Sequence, residues 1–385
     1  MNPKLLLVTD TYHPKVDGTV RFIEEFCEKA APFFNTTILA PQFLKSFKST
    51  DETRLLSTSK ILKPLPHYPL IKFSFKNIQT IKAEVKKSDI VFIQGPALVS
   101  LLALHYARKY NKPSVAYFHV LPWELYEKSA KHPFKKIIAK LVHKICLYEY
   151  NHADLLLYPY ADLAAKMVAQ GFIAPHKIAR LGVDINRFYP STNNAAIKRK
   201  MGIDPSKIVI GYVGRISPEK NVRTIAKAVR KLGPEYHLLI IGDGDKDQKK
   251  IIEHVANYTI TGFVHNVEDY LRAVDIFVMP SLTETTSLAT LEAMASGLPV
   301  IASKVGYIEQ YIVKGYNGLF FPAQSSTILA KKIERLKNNP TERARLGLNA
   351  RKTIAYSFSW ERSITRIKKL LLELHSEEKY ASKKK

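Results

Sequence analysis

Cysteine is nearly absent: Cys27 and Cys146 are the only two in 385 residues, and they stand far apart. That excludes a disulfide framework and a cysteine-based zinc site, and the expected setting is reduced and cytoplasmic. Long apolar runs are missing as well. No stretch approaches the roughly 20 uncharged apolar residues a membrane span requires. The opening "MNPKLLLVTD" is too short in apolar residues for a signal-peptide core and reads as a first strand. Acidic residues are scarce beside basic ones, 34 Asp and Glu against 59 Lys and Arg, which leaves a net charge of +25. Such an excess draws polyanions: nucleic acid, an anionic membrane surface or phosphorylated substrates. A lysine-rich, solvated surface is the plainer reading. Zinc-finger, aromatic RNP and basic-zipper patterns are all lacking, which turns the reading away from nucleic acid. There is no internal repeat, and the only low-complexity segment is the terminal "KKK".

What is present is an alternation. Short β-branched runs ("KLLLVTD", "TTILAP", "DIVFIQG", "PSVAYFH", "DLLLYP") are separated by helical patterns in the first half. "KIVIGYVG", "YHLLIIGDG", "YTITGFV", "DIFVMPS", "PVIAS" and "GLFFP" follow in the second. Continuous apolar runs spaced by helices predict parallel strands buried on both faces, hence two α/β doubly wound units. The rhythm breaks over 181–207, where prolines and the polar run Ser191 to Asn194 precede a fresh strand at Ile208. The boundary therefore falls between about 180 and 205. Two such units are expected to face a cleft with their strand carboxyl ends, where open sheets bind ligands.

The chemistry concentrates in "PSLTETTSLATLEAMASGLPVIAS", residues 280–303. A strand, a loop and a helix closed by Gly297 place Thr285, Thr286 and Ser287 at a helix amino end, which favours a phosphate. Glu284, just before the helix, would repel a phosphate and suits hydroxyls or a cation. Glu292 lies further in, where an ionised side chain needs hydrogen bonds such as those of vicinal ribose hydroxyls. For two isolated glutamates, a dipole partner and a surface helix acid would be the ordinary reading. "IVIGYVGRISPEKN" shifts the balance, because Arg215 and Lys220 follow the first strand of the same unit and can neutralise a diphosphate. Gly211 and Gly214 give the backbone room there. "IIGDGDKDQ" and "GFVHNVEDYLRAVD" add further turns at neighbouring strand ends.

These elements resemble the donor domain of the GT-B fold retaining glycosyltransferases. The resemblance is to the large fourth family, which includes phosphatidylinositol mannosyltransferases, sucrose synthases and bacterial glucosyldiacylglycerol synthases. The paired acids match Glu284 and Glu292, and the "GR…K" element matches Gly214, Arg215 and Lys220. "DIFVMPSLTE", "EAMASGLPVIAS" and "GYNGLFFP" extend the match over most of 208–322. The resemblance implies that Arg215 and Lys220 hold the donor diphosphate and Glu284 bonds the transferred sugar. It gives Glu292 the ribose, and the backbone around Thr286, Ser287 and Leu288 the distal phosphate and sugar. The sequence between the acids, "TTSLATL", departs from the family's usual glycine, phenylalanine or proline, and leaves the hexose open.

In the first half, "TDTYHPKVDGTVRF" puts Asp17 and Gly18 before a helix beginning near Thr19. The family usually has a glycine pair or Asn-Gly here, close to the donor phosphates. "PSVAYFHVLPWE" puts His119 at a strand end, where the family places a histidine against the transferred sugar. Arg21 reads as a solvated helix cation before it reads as an acceptor contact. Pro159 and Leu181-Gly182 replace the serine and the asparagine-glycine usual at the domain junction. Trp360 begins a segment expected to cross back onto the first domain. The GT-B organisation is thus an acceptor-binding domain over 1–185 with the returning helix 356–385, and a nucleotide-sugar donor domain over 200–355.

Residues 127–150 carry Phe134, Ile137, Ile138, Leu141 and Ile145 at helical spacing, interleaved with Lys131, Lys135, Lys136, Lys140 and Lys144. Such a helix can lie in an anionic lipid interface; alternatively its apolar stripe faces the core. "LPHYPLIKFSFKN", residues 65–77, is a second lipid-facing candidate. The resulting expectation is a retaining hexosyltransferase using a UDP- or GDP-hexose, peripheral on the inner face of the cell membrane, with a lipid headgroup as acceptor. A soluble-acceptor hexosyltransferase making polysaccharide or a small glycoside is the alternative; a non-enzymatic polyanion binder is a remote one. No obligatory metal or cofactor is expected. Counted from Asp243, "DGDKD" has Gln248 and His254 where a calcium loop needs glycine and an acid.

Overall fold

Lys4–Val8, the run read as a first strand (β1), pairs in parallel with Asn35–Gln42 (β2) on one side and Ile90–Ile93 (β4) on the other. The structure is a computed structural model. It describes residues 2–382 except 15–17, 45–47, 49, 51, 60–69, 96, 120, 130–132 and 285. Beyond β2 lies Thr53–Ser57 (β3); beyond β4 come Ser114–Tyr117 (β5), Leu155–Tyr158 (β6) and His176–Ile178 (β7). Among the described residues the order is β3-β2-β1-β4-β5-β6-β7, with every pairing parallel.

Strand alternation divides this unit's core into two faces. Phe92 and Tyr117 point towards the helix Gly18–Ala30, where Phe22 and Phe26 pack on them. Their neighbours Val91, Ile93, Ala116 and Phe118 face the opposite way, into an apolar cluster with Ile81, Val99, Cys146 and Tyr150 from the other helices. Both faces are covered, so the central strands are apolar beyond their first residues, as in "LLLV" of β1 and "VAY" of β5. β3 and β7, which the sequence did not disclose, are the two edges; they read "TRLLS" and "HKI", and apart from the buried Leu56 their side chains are partly or fully exposed.

The second sheet repeats the scheme with Ile208–Val213 (β8), Tyr236–Ile241 (β9), Tyr258–Ile260 (β10), Ile276–Met279 (β11), Val300–Ser303 (β12) and Gly318–Phe321 (β13). Its order is β10-β9-β8-β11-β12-β13, again parallel. Strand order reverses beside β1 in the first unit and beside β8 in the second, and the crevice for ligands in such sheets lies at that reversal.

The chain divides into two compact units, Met1–Arg180 with Glu361–Lys385, and Leu181–Trp360. From Glu361 onward the terminal helix Trp360–Ser382 belongs to the first unit, with Lys368 Nζ 3.5 Å from the centre of the Phe33 ring and Ser363 donating to the Arg180 carbonyl. Within the second unit, Val183 N donates to Phe358 O at 2.8 Å and Trp360 N to Val183 O at 3.3 Å.

The amphipathic stretch 127–150 is not one helix. Pro122–Ser129 ends before the undescribed residues 130–132, and a new helix, Lys135–Tyr150, begins two residues after Pro133, which cannot sit inside a helix. Its buried residues are Ala139, Cys146 and Tyr150, whereas Ile137 is 66% exposed and Phe134, Leu141 and Ile145 also face solvent. The sequence stripe is therefore outside the core. Of residues 65–77, those up to 69 lie outside the described residues; Phe73 is exposed, and Phe75, 81% exposed, opens the helix Phe75–Lys87. Among the described residues, no helix is long and apolar enough to cross a membrane.

Candidate active site

In the second unit the candidate residues gather where β8 and β11 end, at the reversal of strand order. β8 runs into Gly214, whose φ of +141° lies in a region side-chain-bearing residues rarely adopt. Arg215 follows, and its carbonyl accepts a 2.9 Å bond from the hydroxyl of Tyr212. That buried tyrosine anchors the turn from below, and burial holds its hydroxyl pKa well above the ordinary value. The loop then passes Ser217 into a short 3₁₀ turn, Pro218–Lys220, and Asn221 at φ +53° redirects it into the helix Val222–Leu232. Asn221 Nδ2 reaches Pro280 O at 3.2 Å and Leu282 N donates to Glu219 O at 2.8 Å, which ties this turn to the loop after β11.

The turn after β9 supports Arg215 from the side. Ile216 N donates to Asp243 O and Asp245 N to Ile216 O, each at 2.8 Å. The approach is backbone to backbone: a Cβ on Gly242 would stand 2.1 Å from Gly214 O, and one on Gly244 2.1 Å from Ile216 O.

Charge is arranged in two pairs. Lys220 Nζ lies 2.6 Å from Glu284 Oε1, which also accepts from Ser281 Oγ at 2.8 Å; the Glu284 side chain is only 7% exposed. Arg215 Nη2 contacts Glu219 Oε1 at 2.9 Å, and Ser217 Oγ donates to the same oxygen at 2.7 Å. Burial alone would raise the Glu219 pKa, but the Ser217 hydroxyl, a backbone amide and the charges of Arg215 and Lys220 outweigh it and hold the carboxyl below its usual range.

Glu284 leads into the helix Leu288–Ala295. Ser287 is its N-cap, its hydroxyl accepting from Thr290 N and Thr290 Oγ1 at 3.3 and 2.8 Å. Thr286 Oγ1 is buried and has no hydrogen-bond partner among the described residues. Glu292 is half-buried on this helix, roughly 6 Å along the axis from Leu288 at 1.5 Å per residue. The helix's carboxyl end is held by Arg351, whose guanidinium donates to Ala295 O, Phe188 O and Ile185 O at 2.7, 2.6 and 2.9 Å. Gly306, at φ +56°, lies directly against the Glu284 peptide, since a Cβ there would stand 1.9 Å from Glu284 O.

Gly214, Arg215, Lys220, Glu284, Thr286, Ser287 and Leu288 are thus brought to one end of the second sheet. Thr285 and Asp17 lie outside the described residues. Gly18 and His119 belong to the first unit. Gly18 is the exposed first residue of the helix Gly18–Ala30. His119 follows β5, is buried, and meets Gln94 Oε1 through Nε2 at 2.9 Å; burial pushes its pKa down to about 3. Arg21 is drawn to Glu24 and Glu25, at 3.7 and 4.0 Å. The sequence reading missed Tyr212, Ser281, Glu219, Gln94 and Arg351. Glu219 stood in plain view in "SPEK"; a tyrosine inside an apolar strand gives no signal beyond core.

Among the described residues, no group of three or more His, Cys, Asp or Glu side chains could hold a metal ion. The acids of "DGDKD" serve separate ends: Asp243 pairs with Lys249, Asp245 caps the helix Lys246–Ile252, and Asp247 faces Lys250.

Two parallel α/β sheets, with cations, an acid and a helix amino end at the strand reversal of the second, define a GT-B glycosyltransferase. The chain belongs to glycosyltransferase family 4: that family's model matches residues 16–187, and the Glycosyl transferases group 1 model matches 193–353. It is 28% identical over 318 residues to a sulfoquinovosyl transferase of Arabidopsis thaliana, covering 79% of this chain and 61% of that protein, so it spans less than two thirds of that relative. It is 30% identical over 269 residues to a GDP-mannose-dependent alpha-mannosyltransferase of Mycobacterium tuberculosis, with 69% and 68% covered. It is 28% identical over 312 residues to the alpha-monoglucosyldiacylglycerol synthase of Acholeplasma laidlawii, with 75% and 76% covered. Among solved structures, Anabaena HepE in complex with UDP superposes with a TM-score of 0.78 at 17% identity, covering 96% of this chain and 100% of that one. Sucrose-phosphate synthase of Thermosynechococcus elongatus gives 0.80 at 18%, covering 97% and 99%. At these identities the structural likeness is one of fold.

Proposed function

We propose that the chain transfers a hexose, with retention of configuration, from a nucleotide diphosphate sugar to a hydroxyl of a lipid headgroup at an anionic membrane surface. The observation that carries the reading is the Lys220–Glu284 pair beside Arg215 and the amino end of the helix Leu288–Ala295, all at the strand reversal of one sheet. A diphosphate needs fixed positive charge as its bond to the sugar breaks, and Arg215, Lys220 and the amides of Thr286 to Leu288 supply it. Glu284 then accepts hydrogen bonds from sugar hydroxyls, Glu292 from the ribose, His119 contacts the transferred sugar, and Gly18 admits the donor phosphates. The anomeric C–O bond breaks with its electrons passing to the diphosphate; the acceptor oxygen bonds to the same face of the anomeric carbon, and its proton goes to the leaving phosphate. No protein nucleophile and no metal takes part. A relative named for GDP-mannose and a fold neighbour determined with UDP support a nucleotide-sugar donor.

The lipid acceptor is supported by the helix Lys135–Tyr150, whose exposed apolar side chains at 134, 137, 141 and 145 are flanked by exposed Lys136, Lys140 and Lys144. In a dimer these lysines would repel their copies, whereas an anionic surface attracts them. Two relatives are named as a glucosyldiacylglycerol synthase and a sulfoquinovosyl transferase. The test is a screen of UDP- and GDP-hexoses for hydrolysis, followed by transfer to diacylglycerol or phospholipid in anionic vesicles. The product's anomeric configuration should equal the donor's, and activity should survive exhaustive chelation. Turnover with soluble acceptors alone refutes the lipid reading, and no turnover of any donor refutes both.

A further inference from the structure

Gln94 leaves the end of β4 beside His119 at the end of β5; it is 1% exposed and its Oε1 lies 2.9 Å from His119 Nε2. The other end of the carboxamide, Nε2, is buried with no hydrogen-bond partner among the described residues. An orphaned buried donor is costly, and an apolar residue of the same size would avoid it, so packing alone does not account for a glutamine here. The imidazole is held on both sides: its centre is 4.5 Å from that of Tyr117 and 5.1 Å from that of Phe22. Tyr117 is the titratable group among these ring neighbours, and its hydroxyl is committed to Ala179 O at 2.6 Å. An oxygen facing Nε2 requires a hydrogen on that nitrogen, which leaves the ring's lone pair on Nδ1.

We propose that Gln94 is a positioning residue that holds His119 as the Nε2–H tautomer, so that His119 presents Nδ1 as a hydrogen-bond acceptor to a sugar hydroxyl. The part concerning the sugar rests on the glycosyl-transfer reading; the tautomer does not. Because burial keeps the imidazole neutral down to about pH 3, the ring works as a fixed acceptor and not as a proton donor.

The full chain labelled with ¹⁵N-histidine tests this directly. Two-bond ¹H–¹⁵N correlation spectra of the wild type should show His119 with a protonated Nε2 and an unprotonated Nδ1 from pH 5 to 8. A protonated Nδ1 overturns the proposal, whether or not the chain turns over any donor. Gln94→Leu should lose the tautomer preference and lower kcat roughly tenfold, the scale of one hydrogen bond, with the donor Kd from calorimetry unchanged. Gln94→Glu places a carboxylate on the ring and stabilises the imidazolium. An acid limb absent from the wild type should then appear in kcat/KM, activity falling as the pH drops. Wild-type kcat in Gln94→Leu, or an unaltered pH profile in Gln94→Glu, refutes the positioning role. Should Gln94→Leu fail to fold, the wild-type spectrum and the Gln94→Glu profile decide.

Discussion

Lys220 Nζ and Glu284 Oε1 stand 2.6 Å apart at the ends of two adjacent strands, and the acid is the more buried partner. The cation assigned to the diphosphate is thus already engaged by the acid assigned to the sugar, so donor binding has to share or redirect this bond. Lys220→Met leaves a nearly buried carboxylate with the Ser281 hydroxyl as its remaining described partner. Turnover should fall about 100-fold or more, and stability by about 1–3 kcal/mol. Glu284→Gln retains an oxygen for Ser281 and should lose activity comparably with a smaller change in melting temperature. Steady-state kinetics and thermal melts check both.

Gly306 supports the same acid from beneath. In Gly306→Ala the new methyl would meet the Glu284 carbonyl at 1.9 Å while the residue stays at φ +56°, so the Glu284 peptide must move. We expect a destabilisation of about 1–3 kcal/mol and weaker donor binding by calorimetry, although residue 306 bears no functional group.

Two buried histidines set an acid limit on stability. The His119 pKa is lowered to about 3 and that of His237 to about 4, each chiefly by burial. Both lie below the ordinary 6.5, so the unfolded chain binds more protons between those values. Their contribution is intact above pH 6.5 and is lost as pH falls through 4 towards 3. The slope is at most about 1.4 kcal/mol per pH unit for each histidine. Melting temperature should therefore drop from pH 7 to pH 4, and His237→Gln should flatten the drop. Equal slopes in the two proteins would contradict it.

The exposed stripe of Lys135–Tyr150 predicts binding to anionic vesicles that weakens with salt. Replacing Lys136, Lys140 and Lys144 with glutamine removes roughly 1 kcal/mol each, so partitioning should fall about 100-fold in flotation. Ile137→Asp with Leu141→Asp should abolish it while donor hydrolysis in solution persists.

The sequence made the central strands legible because parallel strands buried on both faces must be apolar throughout, as in "IVFI" and "LLLY". β3 and β7 were hidden because an edge strand needs apolar residues on fewer sides. The candidate residues were legible where they carry charge after a strand: Arg215, Lys220 and Glu284. Their supports were not, since Tyr212, Gln94 and Arg351 acquire meaning through contacts to residues 3, 25 and up to 166 positions away. The stripe of Lys135–Tyr150 shows the limit from the other side. Helical spacing revealed an apolar face, and only the packing of Ala139, Cys146 and Tyr150 showed which side turns inward.

The turn after β9 contributes no proposed ligand, yet it governs one. Its two glycines press bare main chain against the segment bearing Arg215, leaving no gap for even a methyl group. Any side chain acquired at position 242 or 244 would act as a wedge, swinging the guanidinium off its mark with every charged residue still in place. An inventory of charged groups would miss such a lesion, because what it removes is a clearance.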